Sequence, residues 1–221
     1  MKRARKPEQK EQRRDAILAA GWLLYQEQAF SAISMSGVAQ QAGLAKGTLY
    51  LYFKTKEELF LAILTEKVGE FFMGLSNYLR TLPKSGDELE FGRLLADYVM
   101  QHHHVLSLMG MAPSVLEQNS DLSAVKVYKE AIMLHTGQTG LLFEELLEFI
   151  PPGGGAKFLL NVYTLILGVM QTINVPKHVQ QLIEQEPHLK ILNMDQEAHL
   201  AYLIGIHLKG LKSSEKIDRN G

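Results

Sequence analysis

Cysteine is absent from the 221 residues. That excludes a disulfide framework, a thiolate metal site and a cysteine nucleophile, and it fits a reducing, cytoplasmic compartment. A long clean apolar run is also missing. The most apolar stretch, Phe158 to Val175, contains Asn161, Gln171 and Asn174, groups that hydrocarbon penalises, so no membrane span is expected. The basic opening, Met1 to Asp15, has no apolar segment behind it and does not read as a secretory signal. Period-two alternation is lacking, with Val, Ile and Thr scattered, which disfavours strands. The spacings G-x-S-x-G and H-E-x-x-H do not occur, and Gly153-Gly154-Gly155-Ala156-Lys157 lacks the spacing of a phosphate-binding loop. His102, His103 and His104 are consecutive, so on a helix they point about 100° apart and do not converge on one ion. Neither a metal nor a cofactor is expected.

What is present is helical patterning and a lopsided charge. The net charge of −1 conceals ten Lys and Arg against four Asp and Glu in residues 1–56, a balance of +6, and a balance of −7 in residues 57–221. A basic head on an acidic body suits a chain of which one end meets a polyanion, and it equally suits a solvated charged terminus. Apolar residues make up 46%, enough for a core. The periodicity predicts a helix from about Glu8 to Gln28, with Ile17, Ala20 and Leu24 on one stripe. Short helices follow, Met35 to Ala42 with Ser34 as N-cap and Lys46 to Phe53, separated by Gly43. Thr55-Lys56-Glu57-Glu58 reads as a capping box opening a long helix to about Arg80. Further helices are expected at about 87–103, 105–117, 122–149, 156–174, from Pro176 to near Pro187, and 195–211, with a frayed tail over 214–221. The fold class is therefore all-α.

Residues 34–53, SMSGVAQQAGLAKGTLYLYF, carry the functional signal. Val38 and Ala39 point inward from the first short helix, Leu44 plugs the turn, and Leu49 and Phe53 anchor the second helix at i and i+4. Two helices this short must pack on those before and after them, which makes a three-helix head with a polar face outward. Lys46, Thr48, Tyr50 and Tyr52 supply that face with an ammonium and hydroxyls suited to phosphate oxygens, and Gly47 lets a backbone come close. An ordinary polar helix face has the same composition.

The run AGLAKGTLYLYFKTKEELFLAIL, Ala42 to Leu64, resembles the TetR family signature in order and spacing, and the resemblance extends over about residues 10–64. It implies a helix-turn-helix whose second helix enters the major groove of double-stranded DNA. By position, Lys46, Gly47, Thr48, Tyr50, Leu51 and Tyr52 then fall on the recognition helix. Ser36 falls on the helix before it, and Lys56 matches a phosphate-binding lysine. Thr48, Tyr52 and Lys56 are expected at the DNA backbone, and Lys46, Tyr50 and Leu51 near base edges. Two departures stand out: Ala45 replaces a frequent capping Ser, and Gly37 replaces a frequent acid. The arm Lys2, Arg3, Arg5, Lys6 suits either a phosphate-tracking element or a solvated tail.

The family resemblance further implies an N-terminal DNA-binding head (1–56), a helical effector-binding and dimerisation body (57–213), and homodimerisation through helices near 156–174 and 195–211. Leu160, Leu165, Ile166 and Val169 on one helix and Leu200, Leu203, Ile204 and Leu208 on the other fit both an interface and an internal core. Gly168 and Gly205 permit close helix approach. Tyr98, Met109, Met111, Tyr128, Met133, Phe143 and Tyr163 are candidates to line a site for a small apolar effector, and fit plain core packing as well. The function expected is a ligand-responsive repressor that binds a palindromic operator as a dimer. A helical protein–protein adaptor and, more remotely, an enzyme are the alternatives.

Overall fold

A computed structural model of the chain describes residues 5–84, 87–173 and 177–220. The chain folds as two compact units. The first comprises residues up to Phe71 together with Ser107–Met133, and the second Phe72–Leu106 with the remainder from Leu134. All regular structure among the described residues is helical.

The first unit begins with α1 (Arg5–Glu27), a 3-10 turn at Phe30–Ala32, α2 (Met35–Gln41) and α3 (Lys46–Leu49). Next comes α4 (Lys56–Leu79), whose first part belongs here. Local chemistry sets each boundary. Ser34 Oγ accepts the Gly37 amide at 3.1 Å and caps α2. Gly43 closes it with φ of 66°, the left-handed region that a Cβ disfavours. Thr55 Oγ1 accepts the Glu58 amide at 3.0 Å, while the Glu58 carboxylate takes the Lys54 amide at 2.7 Å. This is a capping box whose return bond goes one residue further back, to Lys54 instead of Thr55, and it starts α4.

The core of this unit takes Ile17, Val38, Leu49, Leu59, Phe60 and Ile63, all essentially inaccessible to solvent. Tyr25 and Phe30 meet the Phe60 ring edge-on at 5.8 and 5.1 Å. Residues 107–133 add the end of α6 (His103–Met111), a π-turn at Ala112–Leu116, a 3-10 turn at Glu117–Asn119 and the start of α7 (Leu122–Leu146). The helix expected over 105–117 therefore breaks at Met111, next to Pro113, whose missing amide interrupts the ladder.

The second unit holds α5 (Glu88–Gln101), α8 (Gly154–Ile173), α9 (Lys177–Gln185), a 3-10 stretch at Pro187–Leu192 and α10 (Gln196–Asn220). The last helix runs on to Asn220, where a frayed tail was expected. It packs mainly on α5, and the crossing is close: a Cβ on Gly92 would lie 2.6 Å from the Ala201 carbonyl, and one on Gly205 2.7 Å from Leu89. Lys212 pairs with Glu88 beside the same crossing. Gly205 thus serves the inside of the chain, whereas Gly168 faces open space.

The Gly153–Gly155 run has a structural explanation. Glu144 Oε1 accepts the amides of Gly153 and Gly155 at 3.0 and 2.9 Å, placing a carboxylate at the start of α8. A Cβ on Gly155 would overlap the Gly140 carbonyl, and one on Gly140 would lie 2.6 Å from the Ala156 amide. Both obstacles are backbone, which cannot rotate aside. Gly155→Ala and Gly140→Ala are expected to cost about 1–3 kcal/mol each in urea unfolding. Gly137→Ala, at an open helical position, is expected to be neutral or to stabilise by up to about 1 kcal/mol.

Candidate nucleic-acid interface

Helix α3 has only four residues, so its own hydrogen bonds do not hold it in place. Packing does. Leu49 is fully buried and Phe53 nearly so, both in the core of the first unit. Beyond Leu49 the chain tightens: the Leu51 amide bonds the Thr48 carbonyl at 3.2 Å and the Tyr52 amide the Leu49 carbonyl at 2.9 Å. The helix expected to reach Phe53 therefore finishes as a tight turn.

Anchoring Leu49 leaves one side outward. Lys46 and Gly47 are exposed, Tyr50 is 44% exposed and Leu51 80%. The Lys46 ammonium lies 5.9 Å from the centre of the Tyr50 ring, one helical turn away. Around Gly47 a Cβ would meet nothing within 4 Å, so the space above the helix is open. Ser36 is exposed on α2, with its hydroxyl 3.1 Å from that of Ser34. All five residues are open to solvent.

Three expected contacts sit differently. Thr48 is half-buried. Tyr52 is half-buried and walls a recess of about 270 Å³ with Arg14, Glu58 and Glu66. Lys56 is turned inward: its ammonium donates to the Phe30 carbonyl at 2.8 Å and lies 4.1 Å from the Phe30 ring centre. Sequence reasoning missed Phe30 and Lys54, whose ammonium pairs with Asp121 at 2.9 Å. Of the arm, Lys2 and Arg3 lie outside the described residues, while Arg5 and Lys6 open α1.

The seven effector candidates divide between the two units. Met109, Met111, Tyr128 and Met133 belong to the first unit, and Tyr98, Phe143 and Tyr163 to the second. Met133 is 76% exposed, which removes it from any closed cavity. Tyr98 is buried between stacked partners, Tyr78 at 5.3 Å and His102 at 4.3 Å. Its phenol is raised to about 12 by burial. Phe143 is packed against Phe91 and Phe158. A second recess, about 190 Å³, is lined by Phe149, Pro151, Lys157, Asn161 and Leu211 among others and takes none of the seven. Among the described residues no group of three or more His, Asp or Glu converges as a metal site, and no helix is long and apolar enough to cross a membrane.

A short anchored helix, preceded by a capped helix and a glycine turn and exposing a lysine and a tyrosine, defines the class: a DNA-binding helix-turn-helix regulator. Comparison with known proteins gives the family. Residues 17–63 match the model of the bacterial regulatory proteins of the tetR family, and residues 65–215 match that of the tetracyclin repressor-like C-terminal domain. The chain belongs to the TetR family of transcriptional regulators. It is similar to the fatty acid metabolism regulator protein of Bacillus subtilis (strain 168), 40% identical over 55 residues, 25% of this chain and 28% of that one. It is also 33% identical over 72 residues, a third of each chain, to the HTH-type transcriptional activator FasR of Mycolicibacterium smegmatis. The alignments thus span only about a quarter to a third of these curated relatives. Among solved structures, the fatty acid degradation regulator FadR from Bacillus halodurans aligns with a TM-score of 0.54 at 16% identity, over 89% of this chain and 94% of that one. This shows a shared fold.

The N-cap of α3 generates a prediction. Ala45 has the extended backbone of a capping residue, φ −67° and ψ 141°, with no side-chain cap bond. Ala45→Ser is expected to stabilise the protein by about 1 kcal/mol, read as a higher urea midpoint at unchanged slope. No gain would mean that the Thr48 amide, which already donates to the Ala45 carbonyl at 2.9 Å, leaves a side-chain cap little to satisfy.

Proposed function

We propose that this protein is a ligand-responsive transcriptional repressor that binds a palindromic operator as a homodimer in the cytoplasm. The observation that carries the DNA reading is the outward side of α3 and its turn, Lys46, Gly47, Tyr50 and Leu51, held by the buried Leu49. In a major groove Lys46 and Tyr50 would supply hydrogen bonds, and Leu51 an apolar contact for a thymine methyl. Ser36, Thr48 and Tyr52 are assigned to phosphate and sugar. Lys56 acts by fixing the Phe30 turn beneath the start of α4, and reaches a phosphate only with its remaining N–H groups.

Dimerisation is supported by two exposed stripes in the second unit. On α8, Leu160, Thr164 and Gly168 are exposed at i, i+4 and i+8, and on α10 so are Tyr202, Ile206 and Gly210. The residues expected from sequence divide differently. Ile166, Val169, Leu200, Ile204 and Leu208 are buried within the single chain, so of the eight only Leu160 is fully exposed for a partner. A two-fold pairing on these stripes would present two heads to two half-sites.

The effector is a small apolar molecule. Fatty acids and their thioesters are the first compounds to test, because similar proteins carry names of fatty acid metabolism and degradation regulators. Whether binding represses or activates is read by transcription from the bound operator, since FasR is named an activator. The DNA reading is tested by selecting genomic fragments with the purified protein and titrating the best duplex by fluorescence anisotropy. Affinity is expected to fall steeply with salt. Lys46→Ala and Tyr50→Ala are each expected to lose roughly five- to 150-fold, about 1–3 kcal/mol. Unchanged affinity in both variants, or salt-insensitive association, would overturn the assignment and favour a protein–protein adaptor.

A further inference from the structure

We propose that Lys54 is a phosphate-binding residue held in reserve by Asp121, so that Asp121 lowers the affinity of the head for DNA. The inference rests on the DNA reading above. Lys54 ends the turn that carries Tyr50 and Leu51, the exposed edge of the recognition element. Its ammonium meets Asp121 Oδ2 at 2.9 Å, although the two side chains are 75% and 58% exposed. One residue on, Thr55 Oγ1 donates to the Asn119 carbonyl at 3.1 Å. The turn after the recognition helix is thus fastened twice to residues 119–121.

Three features mark this contact as one that can be exchanged. An ion pair so exposed is screened by water and contributes little to stability, so breaking it is cheap. Between the two fastening residues, the Ser120 hydroxyl is buried without a hydrogen-bond partner, a cost that movement of the segment relieves. The segment also follows the π-turn Ala112–Leu116, where regular hydrogen bonding is already interrupted. A duplex offers Lys54 a better partner than one carboxylate, because neutralising a phosphate releases a condensed counterion. Lys56, two residues away, already spends one of its N–H groups and its ring contact on Phe30. Lys54 is therefore the ammonium of this turn that DNA recruits more readily. Binding that keeps residues 119–121 in place would retain the Asp121 contact and weaken DNA affinity, which makes the pair a control point.

The test compares wild type, Lys54→Gln, Asp121→Asn and the double variant on the same selected duplex across a salt series. Glu70→Gln serves as control: it removes a charge of the same sign from an exposed pair with Lys67. Each variant has a distinct expected result. Asp121→Asn binds about two- to fivefold more tightly, and by more than Glu70→Gln does. Lys54→Gln binds more weakly, with a salt slope shallower by about one unit. In the Lys54→Gln background, Asp121→Asn gives no gain. A gain that persists without Lys54, or equals that of Glu70→Gln, would reduce Asp121 to a general charge effect and overturn the proposal. So would an unchanged salt slope in Lys54→Gln. Should wild type bind the duplex while these variants do not differ from it, only this inference fails; should wild type bind no duplex, the DNA reading fails with it.

Discussion

The burial of Leu49 is the constraint on which the rest depends. A helix of four residues has no stability of its own, and α3 takes its position because Leu49 has no solvent exposure and Phe53 only 6%. Val38 on α2, Ile17 on α1 and Phe60 on α4 complete the same core. With Leu49 fixed inward, Gly47 lies on the opposite side of the turn, and Lys46 and Tyr50, one helical turn apart, are exposed beside it. The outward surface of α3 is thus the back of a core residue, and its geometry follows from packing density rather than from any interaction among the exposed groups.

Much of this unit was legible because its signals are local. Ser34, Gly43 and the Thr55–Glu58 box act within four residues of themselves, and each does what its chemistry implies. The end of α3 was less legible, because a tight turn with i to i−3 bonds keeps the apolar spacing of a helix through Phe53. Contacts between distant segments were not legible at all. Nothing near Lys56 announces the Phe30 carbonyl 26 residues earlier, and nothing near Lys54 announces Asp121, 67 residues later. Apolar periodicity finds a stripe but not its partner. The stripes read on α8 and α10 are mostly internal, and the exposed stripes with Leu160, Tyr202 and Ile206 carry too few apolar residues to stand out.

The glycines of the second unit show the same division between local and distant causes. Gly153, with φ of 82°, is a turn glycine readable from its neighbours. Gly140 and Gly155 are required by one another, since each occupies the space a Cβ of the other would need. A glycine run that sequence alone could only exclude as a phosphate loop is explained by helix crossing and by Glu144, which takes its free amides. The chain passes between the two units at residues 71/72, 106/107 and 133/134, within α4, α6 and α7.

The central claim is that paired heads read a duplex through the outward side of α3. Hydroxyl-radical footprinting on the selected fragment tests it most directly. Two protected patches are expected on one face of the duplex, their centres about 34–36 Å apart or a multiple of that. A lone protected patch, or protection with no fixed position, would contradict it.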